Sequence, residues 1–315
     1  MICRRPSGLH ALVLSVVLAL PAIGHAADEL PFSRTVDVVY GRKFGTALTL
    51  DVFAPKKEAN GIGLIWVVSG GWISAHEAIS PSPALIRPLL DRGYTIFAVV
   101  HGSQPKYTIP EVLSDMNRAI RFVRHHAHDY HVDPDRLGIF GASAGGHLSL
   151  MQGTAGDLGS SDAKDPIDRV SSRVQAVACF FPPTDFLNYG KPGENAIGRG
   201  ILAGFKPPFD FHERDKSTGR FERITDEAKI SEIGKQISPV NHVSSDDPPT
   251  LILHGDADKL VPIQQAELIV EKLKQANVAA KLVAKPGASH GWPNMAKDMT
   301  LFADWYDEHL KKPKS

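Results

Sequence analysis

Six short, nearly unbroken apolar runs do most to limit what this chain can fold into: IGLIWVV (62–68), YTIFAVV (94–100), RLGIFG (136–141), VQAVACFF (174–181), PTLILHG (249–255) and AKLVAKPG (280–287). Strands buried on both faces read this way, and that burial is typical of parallel sheets covered by helices. Helical patterns fall between them. Ile109, Val112, Leu113, Met116, Ile120 and Val123 recur at three- and four-residue spacing with charge on the other face. The segment PIQQAELIVEKLKQAN (262–277) opens with proline just inside its start, and MTLFADWYDEHLKK (299–312) is amphipathic in the same way. Ahead of the alternation, RTVDVVYG (34–41) and ALTLDVFAP (47–55) flank a short glycine-containing turn, which predicts an antiparallel hairpin. The expectation is an α/β fold, a mostly parallel doubly wound sheet with helices on both faces, whose chemistry lies beyond the carboxyl ends of the strands.

Two segments break the pattern. Residues 186–237 are rich in glycine, proline and charge, and read as a lid-like, partly helical insertion over the strand ends. At the amino terminus, Arg4 and Arg5 precede an apolar run from Leu9 to Ile23 and the small residues Gly24, Ala26 and Ala27. That is the order of a secretory signal peptide over 1–26, cleaved after Ala26 or Ala27, with one domain over 27–315 and a secreted or periplasmic location. The apolar run is short for a membrane span, so no stable span is expected after cleavage. Of the two cysteines only Cys179 would remain, which leaves no internal disulfide. Acidic and basic residues balance at 35 each, so charge recommends no nucleic-acid partner, and the 14 histidines show no metal-ligand spacing.

The run ending at Gly141 leads into GASAGGHLSL (141–150). A strand, a serine between glycines and the start of a helix form the setting of a strained turn that presents Ser143 as a nucleophile, with the Ala144 N–H facing the same space. Serine needs a base. His290, in ASHGW directly after the last apolar run, lies at a strand's carboxyl end. His125, His126 and His128 sit on or beside a polar helix face, while His101 and His254 suit local hydrogen bonds. For the acid, HGDADKLVP offers Asp258, preferred to Asp256 because it lies farther along the loop, with Asp185 third. Oxyanion donors are expected from Ala144 and from Gly70 and Gly71 after the run 62–68, where glycines allow close backbone approach. Trp72 and Trp292 are candidate substrate walls.

With these segments in place, the chain resembles an alpha/beta hydrolase, nearest to the hormone-sensitive-lipase-like and feruloyl-esterase-like carboxylesterases. The likeness rests on DPDRLGIFGASAGGHLSL, PPTLILHGDADKLVP and GASHGW and runs from about Arg34 to Leu310. It implies that Ser143, Asp258 and His290 form a catalytic triad for hydrolysis of a small-molecule or carbohydrate ester, with no metal or organic cofactor. One departure stands out. Where such enzymes carry His-Gly-Gly-Gly-Trp, this chain reads Val68-Ser69-Gly70-Gly71-Trp72. The rival readings are a serine peptidase related to prolyl oligopeptidases and a catalytically inactive binding protein on the same fold.

Overall fold

The computed structural model describes residues 30–79 and 83–311, so the leader segment lies outside the described residues. Residues 31–315 cluster as one compact unit. The chain opens with β1 (Phe32–Lys43) and β2 (Thr46–Pro55), an antiparallel pair. There follow β3 (Gly63–Val67), α1 (Pro83–Leu90), β4 (Thr95–Val100), α2 (Ile109–His125), β5 (Leu137–Ala142), α3 (Ala144–Ala155) and β6 (Ala176–Phe180). After an excursion holding the small hairpin β7 (His212–Arg214) and β8 (Phe221–Arg223) and then α4 (Glu227–Gln236), the chain closes with β9 (Thr250–Gly255), α5 (Gln264–Gln275), β10 (Ala280–Lys285) and α6 (Met295–Leu310).

The main sheet has eight strands in the order β1-β2-β4-β3-β5-β6-β9-β10. Only the β1–β2 and β2–β4 pairings are antiparallel. The expected doubly wound sheet and its leading hairpin are therefore both present. Strands β3, β5, β6 and β9 sit in the middle, and their burial explains their unbroken apolar sequences. The two faces carry separate cores. One, under α2, α3 and α5, includes Met116, Ile120, Leu148, Cys179 and Ile269. The other, under α1 and α6, includes Trp66, Phe140, Phe302 and Tyr306.

Three details depart from the sequence reading. Strand β10 is an edge strand with Lys281 and Ala284 exposed, so it is not covered on both faces as its apolar run suggested. Helix α5 starts at Gln264 and leaves Pro262 in the preceding turn. Helix α6 begins at Met295, four residues ahead of the amphipathic stretch. The excursion is better anchored than its glycine, proline and charge suggested. Phe186, Phe205 and Phe209 all pack against the Trp72 ring at centroid distances of 5.3–6.4 Å. Aromatic contacts of this geometry add to plain area burial, and they fix the excursion onto the loop after β3. Among the described residues, no helix is long and apolar enough to cross a membrane.

Candidate active site

Ser143 stands between β5 and α3 with φ 54° and ψ −119°, a left-handed, strained conformation for a residue with a side chain. The turn is this tight because its neighbours lack side chains. A Cβ on Gly141 would meet the Gly145 carbonyl carbon and oxygen at 2.5 Å, and one on Gly145 would meet the Val67 oxygen at 2.8 Å. The Ser143 N–H donates to the Phe180 carbonyl at the end of β6, so the turn is also tied to the neighbouring strand. The result is a half-buried hydroxyl at the carboxyl edge of the sheet.

Two later loops complete the arrangement. His290 Nε2 lies 2.9 Å from Ser143 Oγ, and its Nδ1 lies 2.7 Å from Asp258 Oδ2. The other Asp258 oxygen accepts the N–H groups of Leu260 and Val261, each at 2.9 Å. Burial opposes a charge on this carboxyl, but hydrogen bonds from His254, His290 and the Val261 N–H outweigh it. They hold the group well below the ordinary carboxylate range. An ionised Asp258 can only accept, so Nδ1 of His290 carries the proton and Nε2 is left to accept from the serine.

Asp256 and Asp258 are thereby told apart. Asp256 is exposed, and its Oδ1 accepts the Gly287 N–H at 2.7 Å. The Ala257 N–H donates to the Ala288 carbonyl at 3.0 Å, so the loop carrying the acid is laced to the loop carrying the histidine. Gly255 permits that approach, since a Cβ there would lie 2.3 Å from the Ala288 oxygen. Asp185 is spent on the Leu187 and Asn188 N–H groups and the Asn188 side chain. The other histidines have local partners or solvent. His101 Nδ1 lies 2.7 Å from the Gly102 carbonyl, His254 Nε2 lies 2.8 Å from the Val261 carbonyl, and His125 and His128 are exposed.

The oxyanion loop requires one correction. Gly70 and Ile73 exchange two backbone hydrogen bonds of 2.9 Å, so the Gly70 N–H is already consumed by a tight turn. Gly71 and Trp72 both have positive φ, at 55° and 60°. Of the three N–H groups expected as donors, those of Gly71 and Ala144 have no acceptor among the described residues and remain available. Gln104, which carries no sequence signature, clamps the loop: its Nε2 donates to the Gly71 carbonyl at 2.7 Å and its N–H to the Trp72 carbonyl at 3.2 Å. A brace is thus present although Val68 stands where a histidine is usual. Replacing the clamp by Gln104→Leu is expected to lower kcat for an aryl ester by roughly 10- to 100-fold with little change in KM, because a displaced donor acts mainly on the developing charge. Steady-state kinetics on p-nitrophenyl acetate check this.

Neither tryptophan stands as an open wall. Trp72 is only 2% exposed and is packed among aromatic rings under the excursion. Trp292 is half-buried behind Phe181, its Nε1 donating to Asp298 at 2.6 Å. The ring lying against His290 is Phe181, at 4.4 Å between centroids and with φ 34°.

His147, on the helix behind Ser143, is fully buried. Trp72 Nε1 donates to its Nδ1 at 3.3 Å, so its Nε2 carries the hydrogen donated to the Ile237 carbonyl at 2.7 Å. The imidazole is neutral and joins α3, the oxyanion loop and the end of α4. Burial pushes its pKa down to about 4, and does the same to His101. Unfolding raises both toward about 6.5, so the unfolded chain binds more protons between those values. Stability from this source is complete above about 6.5 and is lost as the pH falls toward 4. Thermal melts should show Tm falling across that window, with a shallower slope in His147→Gln.

Asp37, Asp51 and His76 are the one group among the described residues whose donor atoms could surround a cation. Arg34 already forks Asp51 with two hydrogen bonds, and His76 Nε2 lies 2.8 Å from Thr49 and 3.0 Å from Asp37. These partners satisfy one another and pin the turn at 76–78 to the β1–β2 hairpin.

Residues 50–273 match the BD-FAE family, a span that includes Ser143 and Asp258. The chain belongs to the BD-FAE family. The chain is 28% identical over 271 residues to the esterase LipQ of Mycobacterium tuberculosis, covering 82% of this chain and 58% of that protein. It is 25% identical over 294 residues to the isoprenylcysteine alpha-carbonyl methylesterase of Arabidopsis thaliana, covering 90% and 62% respectively. The chain therefore spans less than two-thirds of the length of these curated relatives. Among solved structures, a truncated carbohydrate esterase from gut microbiota superposes with a TM-score of 0.70 at 27% identity, covering 90% of this chain and 98% of that one.

Proposed function

We propose that this BD-FAE protein is a serine esterase that hydrolyses carboxylic esters by acyl transfer, with acyl esters of carbohydrates as its natural substrates. The observation that carries the reading is the continuous hydrogen-bonded series from Ser143 Oγ through His290 to Asp258, on a strained turn beside a free Ala144 N–H. As Ser143 Oγ bonds to the ester carbonyl carbon, His290 Nε2 takes its proton. Asp258 holds the ring in the correct tautomer and stabilises the imidazolium. The Ala144 and Gly71 N–H groups donate to the oxygen as it becomes an oxyanion. Cleavage of the ester C–O bond releases the alcohol, which takes the proton back from His290. Water, deprotonated by the same imidazole, then attacks the acyl-serine carbonyl and frees the acid and Ser143.

The names of the relatives support ester chemistry, and the carbohydrate esterase among the structural neighbours supports the substrate class. The leader pattern in 1–26 supports export to a compartment where polysaccharide esters are encountered. A panel of aryl esters of increasing acyl length, acetylated xylan and methyl ferulate tests the reading. Hydrolysis of short aryl esters together with release of acetate or ferulate from the carbohydrate substrates is expected. A preparation that cleaves peptide substrates and leaves every ester intact would favour the peptidase reading instead.

A further inference from the structure

A groove lies apart from Ser143, with none of Ser143, Asp258 or His290 in its lining. It occupies about 680 Å³ between the tip of the β1–β2 hairpin, the loop before α2 and the excursion hairpin β7–β8. That volume falls in the roughly 300–1,000 Å³ range of ligand sites. Its rim carries the only two aromatics among the large exposed apolar side chains of the described residues: Phe44, 65% exposed, and Phe221, 57% exposed. They come from distant parts of the sequence and meet edge to face, with centroids 5.9 Å apart and planes at 89°. Phe44 lies on a turn held by Lys106, which donates to its carbonyl and to Thr46. Two aromatic rings left in solvent at the edge of a groove lose hydrophobic stabilisation unless something covers them.

The groove adjoins the oxyanion loop at two points. Gln104 donates to the Gly71 carbonyl, and the next residue, Pro105, lines the groove. The ring of Phe205 lies directly against Gly71, where a Cβ would meet it at 2.7 Å, and the next residue, Lys206, lines the groove as well. Two residues of the groove wall, Pro105 and Lys206, therefore follow directly in sequence on residues that touch Gly71.

The lining also indicates what would fit. Besides Phe44, Phe221 and Tyr107, it offers Lys106, Lys206 and His212, together with an Arg223–Asp210 ion pair at 2.5 Å. Aromatic faces among charged donors and acceptors match a ligand with apolar faces and a hydrogen-bonding rim, which is the chemistry of a pyranose ring. An alkyl chain would cover Lys206 and His212 without offering either of them a hydrogen bond. Resting on the carbohydrate-ester reading above, we infer that this groove binds the glycan chain that bears the scissile ester, with pyranose rings stacked on Phe44 and Phe221.

The test uses the full chain and the variants Phe44→Ala, Phe221→Ala and the double replacement, with unchanged Tm as the check on folding. Isothermal titration with xylohexaose and cellohexaose, neither of which carries an ester, reads the groove without relying on catalysis. Binding of at least one to the wild type, weakened at least tenfold in the double variant, is expected. So is a KM for acetylated xylo-oligosaccharides raised about tenfold, with kcat/KM for p-nitrophenyl acetate within twofold of wild type. Absence of binding by either glycan, or equal binding by wild type and variants, overturns the inference while leaving ester hydrolysis standing. Failure of the wild type to cleave p-nitrophenyl acetate overturns the esterase reading, and the titration still decides the groove. Variants whose KM changes only for long-chain aryl esters would assign the groove to an acyl chain and overturn the inference as well.

Discussion

Replacing Ser143 by alanine should lower the turnover of p-nitrophenyl acetate by roughly 10⁴- to 10⁶-fold, because removal of the nucleophile from a serine–histidine pair abolishes the acyl-enzyme route altogether. The substitution removes one oxygen and one hydrogen-bond partner of His290, at 2.9 Å, and keeps the Cβ that the left-handed turn already accommodates. Folding should be preserved, which the melting temperature checks. Whatever rate remains would come from Gly71 and Ala144 polarising the ester toward attack by water. Turnover within tenfold of wild type would remove Ser143 from the mechanism.

The second large effect belongs to Asp258. Asp258→Asn is nearly isosteric, but it replaces an acceptor-only group by one that also donates. The His290 ring can then turn its lone pair to Nδ1 and its hydrogen to Nε2, where it cannot take the serine proton. A fall in kcat of about 10⁴-fold is expected, with KM changed far less. The same replacement at Asp256 should leave kcat within a few-fold, since that side chain holds only the Gly287 N–H. The two aspartates lie two residues apart, so the pair of variants separates the acid from its neighbour in one experiment. Because the Asp258 carboxyl is held well below its ordinary range, it stays ionised in moderately acid solution, and its protonation does not set the acid limit of activity.

Much of this arrangement is visible in the sequence, for identifiable reasons. Central parallel strands are covered on both faces, so β3, β5, β6 and β9 are written as short apolar runs. The tight turn at Ser143 needs glycine at 141 and 145 for want of space, and glycine is legible. What was hidden depends on sheet order, on local backbone geometry and on contacts between distant segments. That β10 is an edge strand follows from sheet order, which its apolar letters do not encode. Helix α1 spans only eight residues and carries Pro88, so its apolar repeat of Leu85, Ile86, Leu89 and Leu90 is too brief to stand out. The capture of the Gly70 N–H by Ile73, and the clamp from Gln104, are backbone geometry with no motif attached. The excursion read as polar because its aromatic anchors, Phe186, Phe205 and Phe209, are scattered singly among charged and small residues. They become a cluster only when folded onto Trp72.

Every step of the proposed hydrolysis requires Ser143 to be a nucleophile made reactive by His290. Treatment of the folded protein with a fluorophosphonate, followed by intact-mass measurement and peptide mapping, tests that chemistry without any assumption about the natural ester. The prediction is one adduct per chain, on Ser143, formed at a rate that drops sharply in His290→Ala. Well-folded protein that takes up no adduct, or takes it up on another residue, would contradict the account.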